Sequence, residues 1–309
     1  MAAKLMHRWT QAMRARHFDA AWTISAESLA ARDPATRDDP ALPYHQRWVW
    51  DGRPVDDQDV LVRCYHGLGD TIQFARFLPL LAARARTVTV EMQPDLLPLF
   101  GHWADSMSFH AFDPAHPLPP AACDLEIMDL AFALRAAPDR HAAPYLPQPR
   151  DEGGSGVIGL CHAAGGWDAA RNIPATLLQP LCEGHDCVLL MPQPQGDTAA
   201  LPVRNPEGCP AAIADTAALI ATLDLVITVD TMVAHLAGAM GVPVWALLKH
   251  EPDWRWNPAE PYSCWYPRTR QFVQPHAGDW PGVIAQVERA LADLPRMSKA
   301  VSTLKPARL

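Results

Sequence analysis

The stretch Val226-Ile227-Thr228-Val229-Asp230-Thr231-Met232-Val233-Ala234-His235-Leu236-Ala237-Gly238-Ala239-Met240-Gly241-Val242-Pro243 passes from a β-branched apolar run to a helical one, and the change falls at Asp230. The first part predicts a buried strand over 225–229, and the second a helix over 231–240 that Gly241 and Pro243 terminate. A helix that starts at the carboxyl end of a buried strand turns its unpaired N–H groups and its positive dipole end outward, toward an anion. The Thr231 and Met232 amides and the Thr231 hydroxyl suit phosphate oxygens, and His235 follows one turn along. The plainer alternative makes Asp230 a helix cap and His235 a satisfied core histidine, and the local pattern leaves both open.

Outward from this stretch the chain alternates strand and helix. Downstream of residue 150, strands are expected at 157–161, 187–191 and 242–248, with helices from about 175, at 216–222 and at 281–294. Upstream, residues 60–65 predict a buried strand, His66-Gly67-Leu68-Gly69 a tight turn and 70–85 a helix. Strands follow at 87–91, 108–111 and 124–128, with a helix near 95–103. Two such series predict an α/β protein of two Rossmann-like domains with parallel sheets facing across a cleft, at 45–150 and 151–309. The Pro-, Gly- and charge-rich residues 138–156 join them. Residues 1–44 read as a helical hairpin and loop, and His17-Phe18-Asp19-Ala20-Ala21 at the break is tetratricopeptide-like.

Composition narrows the chemistry. With 309 residues, 49% hydrophobic and 19% charged, the chain has material for real cores. A formal net charge of -8 and the absence of a dense Lys/Arg block disfavour nucleic acid. Seven cysteines without a C-x-x-C pair argue against a disulfide framework, and Cys182, His185 and Cys187 lack a fourth metal ligand. Asp57-Gln58-Asp59 precedes the first strand, where an acidic pair cannot reach a diphosphate, so no metal is expected. No apolar run approaches the ~20 residues that span a bilayer, and no signal-like start is seen, so a cytoplasmic protein is expected, with peripheral membrane contact left open. Walker and G-x-G-x-x-G fingerprints are missing, which disfavours kinase and dehydrogenase readings.

The pattern D-T-x-x-x-H-L-A-G-A-x-G-x-P at 230–243 resembles the signature of heptosyltransferase-like GT-B glycosyltransferases (glycosyltransferase family 9), especially copies fused to tetratricopeptide repeats. The likeness extends to Gly67-Leu68-Gly69-Asp70-Thr71-Ile72-Gln73-Phe74-Ala75-Arg76-Phe77-Leu78-Pro79, Pro252-Asp253-Trp254-Arg255-Trp256, Trp265-Tyr266-Pro267 and Gly278-Asp279-Trp280. The resemblance implies an inverting, metal-independent transfer from a nucleotide sugar, held by the C-terminal domain, to a glycan, lipid or protein acceptor held by the N-terminal one. It implies no cofactor beyond the donor substrate. Carried across by position, Asp70 is the general base, with Gly67 and Gly69 letting backbone approach the substrate and Gln73 on the same cleft loop. Arg171 aligns with a basic residue that meets the leaving diphosphate beside Asp230, Thr231, Met232 and His235. Gln193 and Thr216 stand where a nucleoside is contacted, and Trp254 and Trp256 lie on a loop able to fold over the donor. The bland readings are a helix cap for Asp70 and plain packing for the tryptophans. A sugar-nucleotide epimerase and a non-catalytic GT-B binding module are the rival functions.

Overall fold

The computed structural model describes residues 2–147, 156–166, 168–194 and 196–294; part of the expected linker, 148–155, lies outside them. The first half holds four parallel strands, β1 (Asp59–Arg63), β2 (Thr87–Met92), β3 (Ser108–Ala111) and β4 (Cys123–Glu126), in the order β3-β2-β1-β4. The second holds five, β5 (Val157–Cys161), β6 (Asp186–Leu189), β7 (Leu225–Val229), β8 (Val244–Leu248) and β9 (Thr269–Val273), ordered β6-β5-β7-β8-β9. Every pairing is parallel. β5, β7 and β8 are buried throughout, as strands covered on both faces must be.

Strand order fixes where ligands fit. The chain turns back between β1 and β4 in one sheet and between β5 and β7 in the other. At such switch points the loops beyond the carboxyl ends diverge and open a crevice. Asp70 follows β1 and Asp230 follows β7, so each stands at one of these two points.

Ahead of the sheets, α1 (Ala2–Arg14) and α2 (Phe18–Ala30) form the expected hairpin. The expected helix over 70–85 is divided into α3 (Leu68–Phe74), a 3-10 turn (Ala75–Phe77) and α4 (Leu78–Ala82). Pro79 has no N–H to give the Ala75 carbonyl, so the ladder tightens there. Pro98 acts alike in the next segment, where 3-10 turns (Pro94–Leu99, Gly101–Trp103) replace the expected helix. α5 (Leu130–Ala133) follows β4, and α6 (Gln179–Gly184) and α7 (Ile213–Ile220) follow in the second half. α8 (Met232–Ala239) and α9 (Trp280–Ala292) complete the set. β9 has no counterpart in the sequence reading.

The two halves do not stand apart. One buried apolar network runs from Trp22 on α2, through Val60 and Val90, to Ile220 on α7 and Leu236 on α8. A second, between the other face of the second sheet and α9, joins Ile158, Leu189 and Ile227 to Val283 and Val287. Arg76, 4% exposed, bridges the halves: it donates to the Trp265 carbonyl at 2.6 Å and lies over the rings of Tyr266, Tyr145 and Trp265. α3 packs directly on α8 at the seam between the halves.

Candidate functional site

β7 ends at Val229 and Thr231 caps α8, its hydroxyl accepting the Val233 N–H at 3.2 Å. The Thr231 and Met232 amides find no acceptor among the described residues, which leaves the dipole end of α8 supplied with two free donors. Asp230 stands immediately before them. Arg171, on a single 3-10 turn (Ala169–Arg171), donates from Nη1 to the Asp230 carbonyl at 2.9 Å and lies 4.0 Å from its carboxylate. The Arg171 Nε is buried without a partner. An unspent guanidinium donor beside two free amides makes an electropositive corner. Next to it, Lys249 is occupied by Asp168 at 2.7 Å, and that contact holds the Asp168 carboxyl below the usual range.

His235 lies deeper than the pattern suggested. It is 5% exposed, its Nδ1 shares a hydrogen bond with the Tyr266 hydroxyl at 3.0 Å, and its ring stacks on Trp256. Burial, reinforced by Arg255, Arg76 and Arg171, pushes its pKa well down, so the ring is neutral. Its Nε2 lies 4.0 Å from Asp230. Burial raises the Asp230 carboxyl and Asp253 raises it further, against the Trp256 indole and the two arginines.

Across the seam, α3 begins at Leu68, two residues before the expected start, so Asp70 sits in its first turn. One Asp70 oxygen accepts the Gly67 N–H at 3.0 Å and the other pairs with Arg255. One side chain thus makes both the capping contact and an ion pair across the seam. Gly69 is the point of contact between the halves: a methyl there would come within 2.8 Å of His235 Cδ2 and 3.5 Å of Met232 Cα. Gln73 is fully buried, and its Oε1 accepts the Arg255 Nε–H at 2.6 Å.

Arg255 was not singled out in the sequence. Besides Asp70 and Gln73 it binds Asp253 at 2.8 Å, and it lies over the Trp254 ring at 4.5 Å. Its stretch, Pro252-Asp253-Trp254-Arg255-Trp256, entered the sequence reading only as part of the family resemblance. Also missed were His66, Glu126 and Asp129, which gather at the β1/β4 switch point. Glu126 accepts the Tyr65 and Met128 amides at 3.3 and 2.6 Å and lies 4.0 Å from His66 Nε2. Burial lifts the Glu126 carboxyl well above its usual range, with Asp129 adding to it, and lifts Asp129 to about 6.

Other residues singled out in the sequence stand differently. Trp256 is fully buried against His235, and Trp254 packs edge-on to Trp9 and Trp265 at 4.7 and 5.8 Å. Both indoles serve as packing, in place of the expected cover over a donor. The Thr216 hydroxyl is buried and donates to the Pro210 carbonyl at 2.9 Å, which uses up the donor expected for a nucleoside. Gln193 is exposed, with φ of 53° in the loop after β6. Apart from these, His162, on the loop after β5, is buried between the Ile173 carbonyl at 2.7 Å and the Thr198 hydroxyl at 3.0 Å. A cavity of about 660 Å³ lies elsewhere, between α2, residues 34–52 and Phe132. Among the described residues there is no cluster of three or more His, Cys, Asp or Glu able to hold a metal, and no helix long and apolar enough to cross a membrane.

With this geometry in view, residues 182–268 match the family profile described as glycosyltransferase family 9 (heptosyltransferase). They run from α6 through α8 to the loop that carries Arg255. Protein FlbA of Caulobacter vibrioides is 39% identical over 91 residues, which are 29% of this chain and 15% of that protein's length. A glycosyl transferase family 9 structure from Veillonella parvula matches with TM-score 0.54 and 12% identity, over 78% of this chain and 98% of the other. The ADP-heptose lps heptosyltransferase II of E. coli matches with TM-score 0.53 and 14% identity, over 75% and 98%. The fold is that of the two-domain GT-B glycosyltransferases.

Proposed function

We propose that this chain, a GT-B fold whose residues 182–268 carry glycosyltransferase family 9 sequence, moves a sugar from a nucleoside-diphosphate donor to a hydroxyl-bearing acceptor. The observation that carries the reading is the corner at the start of α8: two unpaired amides, a dipole end and the half-used guanidinium of Arg171, all opposite Asp70. Negative charge accumulates on the diphosphate as its bond to the anomeric carbon breaks, and fixed donors aimed there lower the barrier. The acceptor oxygen attacks the anomeric carbon from the opposite side and the configuration inverts. Its proton passes to the Asp70 carboxylate, and the diphosphate leaves with the bonding pair. In this reading amide and guanidinium donors carry that role, and no metal ion is required.

Thermal-shift titration with ADP, UDP and GDP tests the donor half. At least one diphosphate should raise Tm, as a ligand of the folded state does, and Asp230→Ala and Arg171→Ala should remove the rise. Asp70→Asn should keep binding and lose transfer, and EDTA should leave transfer unchanged. If all three diphosphates leave Tm where it was, the chain is a non-catalytic module with this fold.

A further inference from the structure

Arg255 is the cation on which the acidic groups of the seam converge. Its side chain is 10% exposed and contacts the Asp70 and Asp253 carboxylates and the Gln73 amide oxygen. Asp230 also bears on it electrostatically. The three carboxylates at this seam are met by two guanidiniums, Arg255 and Arg171, since Lys249 belongs to Asp168. A diphosphate entering the corner adds at least two more negative charges. Arg171 alone cannot offset them, Lys249 is held by Asp168, and Arg255, whose charge already bears on Asp230, is the cation left to turn toward the newcomer.

We propose that Arg255 is a positioning residue that changes partners during the reaction, holding Asp70 while the donor site is empty and turning to the diphosphate once it arrives. The inference rests on the reading of the α8 corner as a diphosphate site. Both Asp70 oxygens accept hydrogen bonds, from Arg255 and from the Gly67 N–H, so the guanidinium stands where an acceptor hydroxyl would meet the carboxylate. Transfer of Arg255 to the phosphate oxygens frees one of them. The base is thereby armed only when there is a sugar to transfer. The arrangement suits a swing, because Arg255 sits on the loop between β8 and β9, and the Trp254 ring beneath it is fixed by Trp9 and Trp265.

A double-mutant cycle on nucleotide affinity tests this, with ADP, UDP and GDP titrated calorimetrically into the intact protein. Asp70→Asn removes the competitor for Arg255, so it should tighten the diphosphate that binds wild type, on the order of three- to tenfold. Arg255→Ala should weaken the same diphosphate about tenfold or more. In the Arg255→Ala background, Asp70→Asn should change nothing. A purely structural pair predicts loss of affinity in both single variants, and that result overturns the proposal. Equal tightening by Asp70→Asn with and without Arg255 also overturns it, since simple removal of negative charge would then account for the effect. Circular dichroism on each variant separates lost binding from lost fold. Wild type that binds none of the three removes the diphosphate reading itself; wild type that binds while Asp70→Asn does not tighten removes only the exchange.

Discussion

Asp129 follows β4 with a carboxyl that burial lifts to about 6. Folded, it keeps its proton up to that pH, whereas an unfolded aspartate releases it near 4. The folded state therefore binds more protons between these values, and this group's contribution to stability falls as pH rises from about 4 to 6, then stays flat. Asp129→Asn should escape that loss. Its stability gain over wild type should grow across the same window to roughly 1–3 kcal/mol at pH 8, read as the difference in denaturation midpoints. His235 works in the opposite sense. Its depressed pKa means that the unfolded chain takes up a proton first as pH drops below about 6.5, so acidification costs stability through that ring. Individual residues were legible in proportion to how local their role is. Asp230 and Thr231 come together because a strand end and a helix start are set by nearby sequence, whereas Arg171, 59 positions from Asp230, was legible only through the family resemblance. Arg255 pairs with a residue 185 positions away, and nothing in its own stretch announces that. Glu126 read only as part of a strand over 124–128, since burial of its carboxyl depends on what the other elements place above it.

Among the elements, α3 and α8 decide how closely the halves approach. Gly69→Ala would drive a methyl into the His235 ring at 2.8 Å. The two helices would have to part, at a cost of about 1–3 kcal/mol, visible as a lower midpoint in urea, while the strands remain intact by circular dichroism. The same sequence features that revealed strands and helices explain where the reading failed. Fully apolar runs such as β5 and β7 stood out, because both faces of a parallel strand are covered. β9, Thr269-Arg270-Gln271-Phe272-Val273, lies at the sheet edge and mixes polar with apolar residues, so it carried no such run. The segments at 70–85 and 95–103 had helical spacing, but Pro79 and Pro98 each withdraw an N–H from the ladder.

At the scale of the molecule, two α/β halves could be read from alternation alone, but their mutual packing could not, because it depends on contacts between distant segments. The hairpin shows this. α2 packs against the first half through Trp22 and Phe132, while α1 reaches the second through Trp9 on Trp254, Arg14 on the Pro252 carbonyl at 2.8 Å and Asn257 on the Arg14 carbonyl at 3.1 Å. These contacts brace the loop that bears Arg255. Trp9→Ala should lower stability by roughly 2 kcal/mol and weaken nucleotide binding as the loop loosens, measured by denaturation and titration in parallel.

The cage around Arg76 carries a consequence for how the halves separate. Its charge is met by the Gln73, His141 and Trp265 carbonyls, the Tyr145 hydroxyl and three ring faces, with no carboxylate pair among the described residues, and dissolved ions have little access to it. The Arg255 contacts involve carboxylates that reach solvent, so added salt weakens them more. Raising ionic strength should therefore unfasten the molecule along one margin while the Arg76 spine stays bound, and the protein should open as a book does.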